Sequence, residues 1–446
     1  MNKKTLLSLC SLYGKLQGER ARYSHATEAN FAHMTLEDKL WWGYKCYIRQ
    51  VERAQKGKGI EEHFEKQDLA FDLPKDFSEE SSVTFSAGGD LLSSPFITPE
   101  NTQHVWDDIE DYYFDADIVY ANLESPITNS GIAHSQASLK ATPAMNNSLE
   151  MLEVFHRSGK GVNLFSTANN HSMDMGEEGL VATLDILDEI GAAHVGTART
   201  QTERDDVLTI EKNGVRIAFL SYTFSLNGRV TPEGKPHMAN YIRLNTPDFD
   251  ASLIEQHVRS ARVEKKADFV IALVHWSLEF ELYPVETVMS TAKKLAAMGI
   301  DLIVGNHSHC IQPIERITAV DPYSGREKDC LVVYALGDLL HQNGYPGNFS
   351  LANLIKLRLV KGTVSGEPAA FLTDFTAMPK YTFSTLEHGK YVDHRMLDIR
   401  KLANSLRAGE NPYSMSEAEQ KEVYRLEAIM NRVLGPAIAS TAQLYQ

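Results

Sequence analysis

From Ser82 onward, short apolar runs alternate with amphipathic helical segments, and this alternation restricts the chain to a few architectures. The apolar runs do not alternate with polar residues, which is typical of strands buried on both faces. The predicted strands are 83–86, 117–123, 162–165, 215–222, 268–275, 301–304 and 331–336. The predicted helices among them are 105–113, 177–190, 253–263 and 285–298. Strands that alternate with helices predict a layered α/β domain.

The segments on either side of this region have helical patterns. Thr35 to Asp38 resembles a capping box, and apolar residues then recur at helical spacing as far as Val51. Helices are also predicted at 396–406 and 416–434, after the strand pattern fades near residue 381. We therefore predict a helical N-terminal extension with an acidic linker over 1–80, an α/β domain over 81–380 and a helical C-terminal extension over 381–446.

Composition excludes several classes of protein. The net charge of -15 argues against broad nucleic-acid binding, which needs a basic surface. The longest apolar runs are far shorter than the ~18 residues of a membrane span. Four scattered cysteines without a CxxC pair do not form a disulfide framework.

The N-terminus has a weak resemblance to a targeting signal. Residues 1–4 are charged and residues 6–10 are apolar, but the apolar core stops at Gly14 and no A-x-A cleavage pattern follows. We expect a cytoplasmic protein. Membrane association through the N-terminal helix, with its two tryptophans, is left open.

Polar side chains gather where the predicted strands end. In open α/β sheets, ligands bind beyond the carboxyl ends of strands. These residues are therefore expected to converge on one crevice, although each alone could be a hydrogen-bonded structural residue. The strand ends are 88–90, 121–124, 169–171, 274–276 and 305–309, and six of their acidic, amide and imidazole groups are expected to converge. The candidates are Asp90, Asn122, Glu124, Asn169, Asn170, His171, His275, Asn306, His307 and His309.

The donor types indicate a divalent metal. Carboxylate, amide and imidazole ligands without cysteine suit one or two ions of Mn²⁺, Fe, Zn²⁺ or Mg²⁺. Cys310 directly follows His309, and we interpret it as a buried structural thiol.

These motifs, in this order, resemble the CapA family of poly-γ-glutamate capsule biosynthesis proteins, a branch of the calcineurin-like metallophosphoesterases. The strings around His171 and ending at His309 are the most specific. The matching stretches are 89–90, 122–128, 168–176, 274–279 and 299–309, continued by 312–315 and 335–338. The resemblance implies a layered calcineurin-like metallophosphoesterase-type α/β sandwich over 81–380.

The resemblance also implies a role for each matching residue. Asp90 and His309 would hold the first metal, and Glu124 would bridge to a second. The second metal would be held by Asn170, His275 and His307. His171 would act as a phosphate contact or general acid, supported by Asp174. The residues expected to face substrate are Asn122, Asn169, Trp276, Glu279 and Asp338.

One departure from the metallophosphoesterase pattern affects the expected activity. Leu92 stands where those enzymes have the histidine of an Asp-x-His pair, so the first metal would lose an imidazole. The leading interpretation is a metallophosphoesterase-like hydrolase acting on a phosphorylated or polyglutamate-type substrate. The alternative is a non-catalytic assembly subunit of a polyglutamate synthase or exporter. A membrane-associated synthase complex and a homodimer are the protein partners left open. The cleft rim is expected from loops 225–240 and 342–349.

Overall fold

The structure is a computed structural model that describes residues 3–24, 34–129, 133–135, 144–341 and 347–440. The first two residues of the targeting-like segment and residues 342–346 of the second predicted rim loop lie outside the described residues. No helix among the described residues is long and apolar enough to cross a membrane.

The described secondary structure begins with helices, continues as mixed strands and helices, and ends with helices. The strands are β1 (Phe77–Leu91), β2 (Ile118–Leu123), β3 (Ala133–Ser135), β4 (Ala144–Asn146), β5 (Leu164–Ser166), β6 (Ala193–Val195), β7 (Leu208–Lys212), β8 (Val215–Thr223), β9 (Phe269–His275), β10 (Leu302–Asn306), β11 (Ile314–Val320), β12 (Glu327–Val333), β13 (Asp338–Leu340), β14 (Leu351–Val364), β15 (Glu367–Glu387) and β16 (Lys390–Asp398). The α-helices are α1 (Lys3–Gln17), α2 (Leu36–Tyr47), α3 (Ile60–Glu65), α4 (Glu110–Tyr113), α5 (Leu149–His156), α6 (Gly176–Glu189), α7 (Gln201–Asp205), α8 (Ser252–Arg259), α9 (Glu286–Ala297), α10 (Ile399–Arg407) and α11 (Glu417–Ser440).

Two large sheets form the centre of the molecule. The first has the strand order β16-β15-β14-β1-β2-β5-β6, with β13 beside β1. Its β1, β2, β5 and β6 run parallel, whereas β14, β15 and β16 pair antiparallel. The second sheet has the order β11-β12-β10-β9-β8-β7, with a parallel centre and antiparallel edges. Strands β3 and β4 form a separate small pair.

The alternation of side chains along β2 shows how the layers pack. Ile118 and Tyr120 lie in the core shared with the second sheet. In that core, the ring centroids of Phe85 of β1 and Phe219 of β8 are 6.2 Å apart. Val119 belongs to a separate core with residues of α5 and α6. Successive strand residues point to opposite faces, so helices cover the outer face of the first sheet. This arrangement confirms the predicted layered α/β sandwich.

The N-terminal helices dock onto the α/β layers. Helix α2 begins at the predicted capping box, with Thr35 and Asp38 bonded in both directions. It ends at Tyr47, so the expectation of helical spacing as far as Val51 is wrong. The reason is tertiary, because the N–H of Val51 donates to the carbonyl of Phe280 and the chain there pairs with a loop of the main layers.

The predicted acidic linker is partly structured. Ile60, Phe64 and Leu69 are buried in the main core, and the Phe64 ring lies edge-on to Tyr334 at 5.5 Å. The sequence did not reveal these core contacts, because acidic residues occupy the exposed face of the short helix α3.

The predicted C-terminal extension begins with strands. Strand β15 crosses residue 380, and β16 runs to Asp398, so the helix predicted from residue 396 begins only at Ile399. Strand β16 lies at the edge of the first sheet, and exposed or half-buried residues interrupt it as far as Arg395, so no continuous apolar run marks it. The division into three segments remains a prediction.

Candidate metal centre

Gly89 allows two strand ends of the first sheet to come together. A Cβ atom at position 89 would lie 1.7 Å from the carbonyl oxygen of Gly337, so the close approach requires glycine. The approach places Asp338 of β13 beside Asp90 in the register of β1. Two carboxylates from separate motifs therefore share one edge of the sheet.

The second sheet supplies three imidazoles at its neighbouring strand ends. His275 is the last residue of β9 and pairs with Asn306, the last residue of β10. Beyond β10 the chain turns through His307 at φ 98° and His309 at φ 55°, which are uncommon conformations for residues other than glycine. The turn lets the main-chain N–H of His307 donate to Asp90 Oδ2 across 3.1 Å. Backbone strain of this kind clusters at functional sites.

Six side chains from the two sheets form what we call the central cluster. Three overlapping groups each offer one ligand atom per residue within 4.8 Å of the others, and every member is buried. The groups are Asp90, Glu124 and His275; Glu124, His307 and His309; and Asp90, His309 and Asp338.

Two asparagines adjoin the central cluster. Asn170 Oδ1 lies 3.0 Å from His275 Nε2, so all six residues predicted as ligands lie together. Asn122 Nδ2 donates to Asp90 Oδ1 at 2.7 Å and lies 3.3 Å from His275 Nδ1, while its oxygen accepts a hydrogen bond from Ser166. Asn122 therefore orients two cluster residues.

The central cluster contains polar atoms that no described protein group satisfies. Both carboxylate oxygens of Glu124, Nε2 of His307 and Oδ2 of Asp338 are buried without a hydrogen-bond partner in the described part of the chain. A buried polar group left unpaired costs about 1–3 kcal/mol. Unpaired carboxylate and imidazole atoms around one centre fit a divalent cation, which would satisfy them together.

The carboxylates of the central cluster are costly to ionise without a cation. Burial raises the pKa of Glu124 to about 7, although His309 and His171 oppose the rise. Burial and the adjacent Glu124 also raise the pKa of Asp90 well above its ordinary value. A bound cation would favour both charged forms and so reverse these shifts.

The pKa values of the three imidazoles in the central cluster are shifted in different directions by their surroundings. Burial, with His309 and His171 nearby, lowers the pKa of His275 well below its ordinary value, and burial with His275 nearby does the same for His307. At His309 burial is outweighed by Asp338, Glu124 and Asp90, which raise its pKa well above the ordinary value. Neutral imidazoles are the form that binds metal.

His171 lies beside the central cluster and is held by a carboxylate. Its Nδ1 is 2.7 Å from Asp174 Oδ2, which also accepts the N–H of Met145 at 2.7 Å. Asp174 Oδ1 lies 2.9 Å from the Arg229 guanidinium. Burial by itself lowers the pKa of His171, but Asp174 and Glu124 raise it above its ordinary value overall. The ring is thus fixed and inclined to carry a proton.

Comparison with known families agrees with this architecture. The model of the family described as "Bacterial capsule synthesis protein PGA_cap" matches residues 61–343. The chain belongs to this family. The match confirms the resemblance stated from the sequence and accords with a metallophosphoesterase-like fold.

Two curated relatives of this PGA_cap protein have capsule functions in their names. The "Capsule biosynthesis protein CapA" of Bacillus anthracis is 25% identical over 279 residues, and the "PGA biosynthesis protein CapA" of Bacillus subtilis (strain 168) is 26% identical over 268 residues. These alignments cover 61% and 58% of this chain, and 63% of each relative. The crystal structure of a hypothetical protein from Thermus thermophilus aligns with a TM-score of 0.36 and 16% identity over 66% of this chain and 99% of its own, too distant to bear on the assignment.

The five residues predicted to face substrate in this PGA_cap protein have different environments in the structure. Trp276 is fully buried in the core, stacked on Tyr334 and donating to its carbonyl at 2.9 Å, so the prediction of a substrate contact is corrected. Asn169 is also structural, because its amide donates to the carbonyl of Leu123 and accepts the N–H of His171. Both were drawn into the prediction because they are sequence neighbours of cluster residues.

Asp338, a member of the central cluster, and Glu279, which lies beside the cluster, both contact His309. Asp338 Oδ1 is 2.8 Å from His309 Nδ1, an arrangement in which a carboxylate orients an imidazole and leaves its Nε2 free to bind metal. Glu279 Oε1 lies 3.8 Å from that Nε2, and its other oxygen accepts the indole N–H of Trp42 from α2. Leu92, at the position of the missing histidine, is buried.

Two residues that contact the site, Arg229 and Trp42, were not predicted from the sequence. Arg229 lies in the predicted rim loop 225–240, where no pattern pointed to an ion pair with Asp174. Trp42 reaches the site from α2, more than two hundred residues away in sequence from Glu279. Only the unexplained apolar stripe of the N-terminal helix could have hinted at Trp42.

Proposed function

We propose that this PGA_cap protein is a metal-dependent hydrolase of the phosphoesterase type that acts in capsule polymer synthesis. The observation that supports this most directly is the set of unpaired, buried ligand atoms of Glu124, His307 and Asp338 around one centre. A structural polar core would pair such atoms with one another or with main-chain groups.

One or two divalent ions of Mn, Fe, Zn or Mg would be held by the predicted ligands. These are Asp90, Glu124, Asn170, His275, His307 and His309. When bound, such an ion supplies positive charge that polarises a phosphoryl oxygen and lowers the pKa of a water molecule. Asn122 and Asp338 hold Asp90, His275 and His309 in place for this task.

His171 would donate a proton to the leaving oxygen. Asp174 holds its Nδ1 and leaves Nε2 as the nitrogen that would donate the proton, while Arg229 and the N–H of Met145 keep Asp174 in place. A general acid must be protonated at the working pH, and Asp174 favours that state.

The proposed substrate is a phosphorylated or polyglutamate-type compound of capsule synthesis. The relatives' names refer to capsule and PGA biosynthesis, and the leading interpretation extends that role to this chain. A membrane-associated synthase complex is the setting in which such an enzyme would act.

A second candidate function is an assembly subunit without catalysis. Leu92 favours it, because one imidazole of the usual dinuclear site is missing. The two functions are separated by metal analysis of the purified protein and by its hydrolysis of bis(4-nitrophenyl) phosphate after loading with Mn²⁺ or Zn²⁺. The hydrolase requires bound metal and turnover, both lost in His307→Ala. Tightly bound metal without turnover on any phosphoester would favour the assembly subunit.

A further inference from the structure

A short turn after β9 lies between the central cluster and the N-terminal helix α2. Residues 279–282 form this turn, and Phe280 within it has a φ of 65°, which is uncommon for a bulky residue. The main-chain N–H of Phe280 donates to the carbonyl of Ser308 at 2.8 Å, and its ring stacks on the ring of His309 with centroids 5.8 Å apart. The turn is therefore in direct contact with a residue of the central cluster.

Helix α2 and the residues after it hold the other side of the 279–282 turn. Lys45 forms a buried ion pair with Glu281, with 2.6 Å between Nζ and Oε1. The N–H of Val51 donates to the carbonyl of Phe280 at 3.0 Å, and the N–H of Leu282 donates to the carbonyl of Val51 at 3.0 Å. A strained backbone conformation persists only where surrounding contacts determine it. The N-terminal segment thus supplies contacts that keep the turn in its shape.

Trp42 extends these contacts to the charged group of the turn. Its indole N–H donates to Glu279 Oε2, and its ring centroid lies 5.7 Å from that of Phe280. A hydrogen bond to an ionised carboxylate is about twice as strong as one between neutral groups. The bond therefore restrains the Glu279 carboxylate in one orientation.

In that orientation, the other oxygen of Glu279 is close to the metal-binding nitrogen of His309. Glu279 Oε1 lies 3.8 Å from His309 Nε2, and Glu124 Oε1 lies 3.9 Å from the same nitrogen. Asp338 occupies Nδ1 of His309, so Nε2 is the nitrogen available to a cation. Glu279 belongs to none of the three ligand groups of the central cluster, so its place is beside the ligands. A half-buried negative charge at this distance attracts a cation with less screening than it would in water.

We propose that Trp42 is a positioning residue of the metal centre: it holds the Glu279 carboxylate beside Nε2 of His309, where the negative charge strengthens the binding of a divalent cation. This inference rests on the metal binding of the proposed function and not on hydrolysis. Helix α2 lies outside residues 61–343, which match the family model, so membership of the family does not by itself imply this role.

The test measures the affinities of the full chain for Mn²⁺ and Zn²⁺ by titration calorimetry, and compares the tighter ion among variants. Glu279→Gln keeps an oxygen that can accept the indole N–H but removes the charge. It should weaken metal binding about tenfold, the lower end of the range for residues beside metal ligands. Trp42→Phe keeps a ring against Phe280 but removes the N–H, and it should weaken binding about threefold or more because the carboxylate is no longer held.

A double variant distinguishes positioning from a general structural role. If Trp42 acts through the charge of Glu279, Trp42→Phe/Glu279→Gln should bind metal about as well as Glu279→Gln alone. If Trp42 acted only by stabilising the fold, its effect would add to that of Glu279→Gln.

The matched control is Trp41→Phe. Trp41 is the neighbouring residue of α2, but it packs in the small core between α1 and α2 and should leave metal affinity unchanged even if the variant is less stable. The inference is overturned if Trp42→Phe and Glu279→Gln, shown to be folded by circular dichroism, bind metal like the original protein. It is also overturned if Trp41→Phe weakens binding as much as Trp42→Phe, or if the two losses add in the double variant. An original protein that binds neither ion would overturn the proposed function, and this inference with it.

Discussion

Two histidines of the same site are expected to have different tasks because their partners differ. His171 Nδ1 is held by Asp174, whereas His307 has an unpaired, buried Nε2 within the central cluster. Replacing His171 with alanine should leave the metal content nearly unchanged and lower phosphodiester turnover by about 10²–10⁴, the range for loss of a general acid. Plasma emission spectrometry and a turnover assay on the same sample give both values.

The matched variant is His307→Ala, which should remove metal as well as turnover. If His171→Ala lost metal as readily as His307→Ala, the division of roles between the two histidines would be wrong.

His257 predicts how stability depends on pH. Its pKa is lowered from 6.5 to about 4 in the folded protein. Between these two pH values, the unfolded chain therefore binds a proton that the folded protein does not bind. The contribution of His257 to stability should therefore fall by about 3 kcal/mol as pH decreases from about 6.5 to 4, and this contribution should be constant above pH 6.5. Urea unfolding at several pH values measures the effect.

The comparison for this prediction is His257→Gln, which cannot titrate and should flatten part of the slope. Replacement of the exposed His388 by asparagine is the control and should leave the slope as it is. An unchanged slope in His257→Gln would show that other groups cause the acid dependence.

At the scale of elements, helix α2 is fixed to the main layers by a buried ion pair. Lys45 Nζ lies 2.6 Å from Glu281 Oε1, and the side chains are 7% and 1% exposed. Lys45→Met should destabilise the protein by about 3–5 kcal/mol, because it leaves the Glu281 carboxylate buried without its cation. Chemical denaturation followed by tryptophan fluorescence measures the loss.

The double variant Lys45→Met/Glu281→Leu separates the ion pair from packing. Removing both charges should restore most of the stability, because no isolated charge remains. If Lys45→Met alone unfolded no earlier than the original protein, α2 would not be firmly docked.

At the scale of the whole molecule, the central cluster joins the two sheets. Asp90, Glu124 and Asp338 come from the first sheet, and His275, His307 and His309 come from the second. A metal held there binds only the folded protein, so Mn²⁺ at about one hundred times its dissociation constant should add about 2.7 kcal/mol of stability. Thermal unfolding after chelation and after adding Mn²⁺ should differ by several degrees.

Glu124→Gln should reduce the rise in unfolding temperature that Mn²⁺ causes, because it removes the charge shared by two of the three ligand groups. Glu327→Gln, a change at an exposed position of β12, is the control. If Glu124→Gln showed the full rise in unfolding temperature with Mn²⁺, the ion would have to bind elsewhere in the molecule.

The sequence alone was sufficient for the family and the layered fold. It also indicated the side chains that the structure brings together in the central cluster, although Asp338 was expected to face substrate and their role as metal ligands remains a prediction. Strands buried on both faces produce continuous apolar runs, and the ends of parallel strands meet at one edge of a sheet. Local patterns such as those ending at Asp90, His275 and His309 therefore carry information about the site. The edge strand β16 was not predicted because its exposed and half-buried residues interrupt any such run.

Only the tertiary structure decided which neighbours of the motifs face the site. Trp276 follows His275 directly, yet the next residue beyond a strand points elsewhere, and Trp276 lies in the core. The hydrogen bond between Trp42 and Glu279 likewise joins two distant segments without a shared motif. A sequence records the type and spacing of hydrogen-bonding groups along the chain. Whether a buried group finds a partner depends on contacts between distant segments, which only folding brings about.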